Sequence, residues 1–522
     1  MARFSLPVRS FIETWLPLVV VAIGAFAVAV PAMHLGRAQA ADNDVLRVRI
    51  GSDVTSFDPH RSSTIENTTF AAHVYDGLFG YNLDDMSIVP RLAESHTVSN
   101  DGLTYTIKIR RGVKFHGTYG EVTAEDVKFS FDRVKNPATA SPWAGEFRNV
   151  EIKVEDAYTV KLTLLRPNAN FLHTLAARNQ ALILSKKALE DKSSDWTTNP
   201  VGSGPYKFAS WRPGNRVVLT ANDAYYRGRP KVDRVELVLI PEETSAEIAL
   251  LNREIDVFFA LQSPEIIERL RTRPKITVDS KPALISCHLV LNNTVPPLND
   301  VRVRRAMAHA IDRESLVKSF FRGTKVRTST PLTPEYKEYT DAVPQYPFDP
   351  KKARALLTEA GYPNGFDFNY ITVALSPYDQ FPIVVADNLR SVGIRVKLTV
   401  MERATYGAAR ASGNLPSATT CPSNSPNPDT LLRGLVHSEG FPPGVNTARY
   451  SGADAILDAA RLERDQAKRM KLYHQAQYQI MTDVPTIPLY ADRLFTATHD
   501  GVQGVKTAAA FWVDTYGATV KH

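Results

Sequence analysis

Cysteine is almost missing from this chain: 522 residues contain two, Cys287 and Cys421. In an oxidising compartment the two are free to pair. Closing a loop of over a hundred residues would then stabilise by up to ~4–5 kcal/mol. Two separate buried thiols are the alternative, and geometry, which a sequence does not display, decides between them. Long apolar runs are equally scarce, with one at Leu16–Ala32 and none after it. No stretch carries five or six like charges, and no Lys/Arg tract is interleaved with aromatics, so nucleic acid is not an expected partner. Neither a phosphate loop of the G-x-x-x-x-G-K-[ST] type nor a G-x-G-x-x-G fingerprint occurs. Gly202-Ser203-Gly204 runs into Pro205, which makes it a tight turn and not a nucleophile elbow. The 12 histidines are scattered, without H-E-x-x-H and without a His/Cys cluster, which removes a zinc site from expectation. His60, His73, His96 and His116 share the N-terminal quarter and are read as core or surface groups. Asp84-Asp85 lacks the ligand spacing of a calcium loop. No cofactor and no catalytic residue is expected. Triads assemble from distant positions, so these absences favour a protein that binds without proving it.

What is present begins with an address. Arg3 and Arg9 precede the apolar run, and Ala38-Gln39-Ala40 follows it, the pattern of a secretory signal peptide cut between Ala40 and Ala41. An uncleaved anchor is the rival, because some 17–18 apolar residues could just span a bilayer; Pro17, Pro31 and the A-x-A site argue for cleavage. The net charge is +7 over the whole chain and +5 once the leader's three Arg and one Glu are removed. The remaining length suits two or three domains with a large core.

Past the leader, strands alternate with helices. Leu46, Val48 and Ile50 alternate with Arg47 and Arg49, which predicts a half-buried strand with one charged face. The same period recurs at 103–109, 159–165 and 234–240. Thr123-Ala-Glu-Asp126 and Thr244-Ser-Ala-Glu247 read as capping boxes. Asp349-Pro350 starts a helix that Gly361 ends, and 453–483 reads as two helices broken near Arg464-Asp465. The pattern predicts α/β domains. The loop Asn199–Pro205 and the stretch just before Ser286 are candidate crossings between lobes.

A series of segments carries more. Thr55-Ser-Phe-Asp-Pro59, Val74-Tyr-Asp-Gly-Leu78, Pro90-Arg-Leu-Ala-Glu-Ser95, Arg111-Gly-Val-Lys-Phe-His116, Asn199-Pro-Val-Gly-Ser-Gly-Pro-Tyr206, Ala224-Tyr-Tyr-Arg-Gly-Arg-Pro230 and Asp300-Val-Arg-Val-Arg-Arg-Ala306 follow one another in order. Together they resemble the bacterial extracellular solute-binding proteins of family 5, which serve ABC importers of dipeptides, oligopeptides and related solutes. The resemblance runs over nearly all of 45–520. It implies a periplasmic-binding-protein type II fold, two lobes around a ligand cleft with a third, inserted domain. On that pattern 41–78, 198–283 and 493–522 form domain I, 79–197 the inserted domain II, and 284–492 domain III. It further implies a monomer in the periplasm that hands a peptide to an ABC permease and ATPase complex at the inner membrane. A peptide-like conjugate of opine type, an oligosaccharide, a metal chelate or haem are the other ligands to weigh, and a secreted hydrolase is the rival class.

The departure from the family lies in its pocket segment. Peptide-binding members resemble one another there in a Trp and in an Asp four residues before a proline, the Asp pairing with the peptide's α-ammonium. Here the segment reads Thr420-Cys-Pro-Ser-Asn-Ser-Pro-Asn-Pro428, with Cys421 at the Trp position and Asn424 at the Asp position. An amide oxygen accepts a hydrogen bond but does not neutralise an ammonium. Either the ligand lacks that charge or another acid replaces it. Asp492, just past Tyr490, is the candidate, with Asp429 behind it. Ser423, Asn424, Cys421, Tyr490 and Asp492 are therefore the expected ligand-binding residues.

Overall fold

The computed structural model describes residues 44–62, 64–422 and 426–521, so the expected leader and its expected Ala40–Ala41 cut lie outside them. One eight-stranded sheet organises the chain. Its members in chain order are β1 (Val45–Ile50), β2 (Tyr206–Arg212), β3 (Arg216–Ala221), β4 (Arg234–Leu239), β5 (Val257–Leu261), β6 (Ile276–Leu291), β7 (Ser417–Thr420) and β8 (Thr486–His499). Across the sheet they lie in the order β7-β6-β8-β5-β1-β4-β3-β2. β1 is parallel to both its neighbours, β4 and β5. The other pairings in the sheet are antiparallel.

The central place of β1 corrects the expectation of a charged, solvated face. Strands inside a parallel stretch are covered on both sides, so Arg49 is buried and its guanidinium donates to the carbonyls of Ile240 (2.8 Å) and Pro241 (2.8 Å). Arg47 pairs with Asp256 at 3.7 Å. Leu46, Val48 and Ile50 point into a core with Val235, Leu237, Val257 and Phe259, onto which the helix Ile65–Val74 packs Phe70, Ala71 and Val74. The other strands expected from alternation form at Thr104–Ile109, Thr159–Leu164 and Arg234–Leu239. Thr104–Ile109 and Thr159–Leu164 lie side by side in a separate four-stranded antiparallel sheet, completed by Ala93–Val98 and Val150–Asp156.

Helix starts follow the capping signals with one exception. Asp126 Oδ2 accepts from the backbone N–H of Thr123 at 3.0 Å and from its hydroxyl at 2.8 Å. Asp349 Oδ1 accepts from Lys352 N–H at 2.9 Å, and Asp465 caps Gln466–Asp483 after the break at Glu463–Asp465. The exception is Thr244, which lies inside the helix Glu243–Leu251 and does not cap it. Glu243 accepts from the amides of Gln262 and Ser263 (both 2.8 Å), and Glu247 reaches Arg269. Both carboxylates serve tertiary contacts in place of a capping box.

Two long strands, β6 and β8, carry the sheet from β5 to β7. Their register breaks twice: between Pro282, which faces Arg493, and Ser286, which faces Ala491, leaving Asp492 opposite three residues of β6, and again between Cys287, which faces Tyr490, and His288, which faces Pro488. The first break falls on the stretch just before Ser286, and the strand paired with it there is β8. Asn199–Pro205 leads into β2. Gly202 and Gly204 there press against the carbonyls of Val74 and His73, where a Cβ would collide.

Candidate ligand-binding site

β6 brings three of the expected residues together. Cys287 on β6 faces Tyr490 of β8 on one side. On the other side it is joined by a disulfide to Cys421, the first residue beyond β7, and the two Cα atoms are 4.2 Å apart. The open question of two thiols or one bridge is therefore decided by β-pairing: His288 of β6 faces Thr420 of β7, which leaves the adjacent cysteines side by side. The bridge pins the start of the pocket segment to the sheet. Ser423 and Asn424 lie outside the described residues. The segment ends at Asn427, whose side chain accepts from Asp429 N–H at 3.0 Å and caps the helix Pro428–Val436.

Asp429 is fully buried, and its carboxylate meets Arg461 Nε at 2.8 Å. Burial pushes that carboxyl above its usual range, opposed by the charges of Arg461 and Arg433. The ion pair ties two helices together through Oδ2, while Oδ1 is buried without a hydrogen bond.

Tyr490 is fully buried, with its ring 4.7 Å from that of Phe321 and 5.4 Å from that of Phe381. Its hydroxyl has no hydrogen-bond partner. Burial, with the charge of Asp492 behind it, holds that hydroxyl protonated well beyond the usual tyrosine range, so it is a neutral donor.

Asp492 sits at the first register break, and its carboxylate Oδ1 is 2.5 Å from Lys325 Nζ. Apart from this ion pair, Oδ1 has no hydrogen bond. The two side chains are 6% and 2% exposed, and Lys325 also donates to Gln262 Oε1 at 2.6 Å. Val326 and Ala491 exchange both backbone hydrogen bonds, which places Lys325 beside β8. Nearby, Arg322 reaches Glu265 (3.0 Å) and Glu268 (3.1 Å) on the helix Pro264–Arg271. Sequence reasoning missed Lys325 and Gln262. A single lysine in a loop carries no local signal, and its partners are distant in sequence.

The histidines do not converge on a metal. Buried His60, His73 and His116 each bond a different backbone carbonyl, of Leu182, Thr69 and Gly204, while His96 is exposed. Among the described residues no group of His, Cys, Asp or Glu is arranged to hold a metal ion, and no helix is long and apolar enough to cross a membrane. Burial does give the histidines a consequence. It pushes His60, His116 and His173 down to about 4 and His288 to about 3, from 6.5. The unfolded chain therefore takes up more protons than the folded one below pH 6.5. The contribution is fully present above that value and is lost as pH falls through about 4. Buried Asp76, raised to about 6, has the opposite sign, as do Glu66, Glu146, Glu338 and Asp429, all raised by burial, and together they offset part of the histidine contribution. The thermal midpoint should drop between about pH 6.5 and 4; a midpoint that rises across that range by circular dichroism would refute the account.

Comparison with known proteins places this geometry. The family model for bacterial extracellular solute-binding proteins, family 5, matches residues 87–442. The glutathione-binding protein GsiB of Salmonella choleraesuis is 31% identical over 478 residues, covering 89% of this chain and 91% of the relative. HbpA2 from Haemophilus parasuis superimposes with a TM-score of 0.82 at 27% identity, covering 92% of this chain and 100% of the other. The periplasmic binding protein DppA from Helicobacter pylori, associated with an ABC transporter and solved with the peptide STSA, superimposes with a TM-score of 0.80 at 29% identity, over 92% and 98% of the two chains. The α/β architecture is accordingly the type II periplasmic-binding-protein fold, with two lobes about a ligand cleft and a further inserted domain. With the motif series, the fold and the family model in agreement, the chain belongs to the bacterial extracellular solute-binding proteins of family 5.

Proposed function

We propose that the protein is the solute-binding component of an ABC importer and that its ligand is a peptide. The observation that carries this reading is the similarity over 89% of the chain to glutathione-binding proteins, alongside the fold shared with a peptide-bound relative. The leader directs the chain to the periplasm, is cut between Ala40 and Ala41, and leaves a monomer. Domain I comprises 41–78, 198–283 and 493–522, domain II 79–197 and domain III 284–492. The crossing strands β6 and β8 flex at the break beside Asp492. Ligand touches both lobes only when they close, so it draws the population toward the closed form. The membrane permease and its ATPase receive that form. No bond in the ligand is made or broken.

The pocket segment supplies Cys421, Ser423 and Asn424 from one lobe. Tyr490 and Asp492 form the wall at the crossing. Mass spectrometry on ligand released from gently purified protein, followed by a thermal-shift screen, tests the reading. A peptide at a hundredfold excess over its dissociation constant should stabilise by ~2.7 kcal/mol. If di- to pentapeptides give no shift while opines or sugars do, the ligand is not a peptide. Cleavage products accumulating beyond one equivalent would replace the binding reading with a hydrolase.

A further inference from the structure

We propose that the protein closes without ligand: a latch between the body of the four-stranded sheet and the helix pair Asp454–Leu462 and Gln466–Asp483 holds the lobes together before any solute arrives. This rests on the two-lobe reading above and goes beyond it, and its deciding measurement needs no ligand.

Chain order separates the two bodies. The four-stranded sheet and the helix Phe171–Ala176 lie between β1 and β2, and the helix pair lies between β6 and β8. Only β6 and β8 carry the chain from one body to the other. The bodies nevertheless meet. Asn170 Nδ2 donates to the Tyr473 hydroxyl at 2.8 Å, and both side chains are buried. Beside them the Ala169 N–H donates to the carbonyl of Arg461 at 2.9 Å, and Arg464 reaches the carbonyl of Asn100. Arg461, already paired with Asp429, also faces Glu146 of the other body, whose carboxyl is pushed up by burial and held down by that arginine. Phe171 and Leu175 on one side, with Tyr473 and Ala476 on the other, belong to one continuous buried cluster.

Opening the lobes returns Asn170 and Tyr473 to water, which replaces most of what their hydrogen bond contributes. It also uncovers the apolar side chains around them, and nothing replaces that burial. The balance therefore favours closure. Neither Asn170, Tyr473 nor Arg464 is among the expected ligand-binding residues, so the latch acts alike with and without solute. When the closed form already dominates, such a contact leaves Kd unchanged and slows entry and exit by the same factor.

The test places spin labels at Lys153→Cys on the four-stranded sheet and Lys471→Cys on the helix Gln466–Asp483, both exposed positions. The mature protein keeps its disulfide and is freed of bound solute by dialysis from guanidinium. Pulsed dipolar spectroscopy on this unliganded protein should give one short distance. Tyr473→Phe leaves the Asn170 amide without an acceptor in the closed form alone. It should add a longer distance, with the closed-to-open ratio falling about tenfold. Arg464→Ala, at an exposed position, guards against a variant that does not fold and should shift the ratio the same way. With glutathione as the probe, Tyr473→Phe should raise association and dissociation rates about tenfold each and keep Kd within about threefold. Unliganded protein spread over two distances, or showing only the longer one, overturns the latch and leaves the hinge standing. One unchanged distance in every variant shows that the two bodies move as one, which overturns latch and hinge together. Faster dissociation with unchanged association means that the contact forms only around solute, and the inference fails.

Discussion

Reducing the Cys287–Cys421 disulfide should cost the protein up to ~5 kcal/mol of stability, the largest effect expected of any single bond in the chain. The bridge closes a loop of 134 residues. Loop-closure entropy removed from the unfolded chain grows with the logarithm of that length, which sets the estimate as an upper bound. The folded side of the balance is favourable as well. Cys287 is fully buried in the middle of β6, opposite Tyr490, and Cys421 leads directly out of β7. Opening the bridge therefore unpins the start of the pocket segment along with the sheet edge. Thermal denaturation with and without reductant, with thiols counted after the reaction, measures it. Two titratable thiols with an unchanged midpoint would show that β-pairing alone holds the edge. The Cys287→Ala, Cys421→Ala double variant checks the same energy without reductant. It should also bind ligand more weakly, because the segment must then be ordered at the expense of binding.

Replacing Lys325 by Met should destabilise the protein by roughly 3–5 kcal/mol, since it strands a buried carboxylate with no cation. Asp492 is 6% exposed on its side chain, and its Oδ1 has no hydrogen bond to fall back on. Asp492→Leu added to the variant should recover most of the stability, as buried pairs commonly tolerate replacement by apolar groups of similar volume. Denaturant titrations of the single and double variants at pH 7 separate these outcomes. A single variant as stable as wild type would mean that water reaches Asp492 and the pair is worth little.

Much of the architecture was legible locally. Alternation located four strands because a strand half-covered on one face must repeat every second residue. Caps at Thr123 and Asp349 were legible because a helix's first amides need an oxygen supplied from nearby in sequence. The reading failed where a side chain had a distant partner. Thr244–Glu247 has the letters of a capping box, yet Glu247 is taken by Arg269 and the helix starts at Glu243. Arg49 has the look of a charged strand face, yet it is buried and its guanidinium is taken by the carbonyls of Ile240 and Pro241. The family resemblance supplied the likeness of the pocket segment and the departure at Asn424, neither of which periodicity could show.

The sequence by itself determined the family, the α/β pattern and the absence of an acid between Cys421 and Asn427. These are local or order-dependent properties, and a linear string records them. Only the tertiary structure decided that the cysteines pair, that β8 runs beside β6 and that Asp492 already has a cation. Each depends on residues 134 or more positions apart meeting across a sheet, or on a loop lysine docking against a strand it does not adjoin in sequence. Such meetings are set by packing and β-register, and no single segment encodes them.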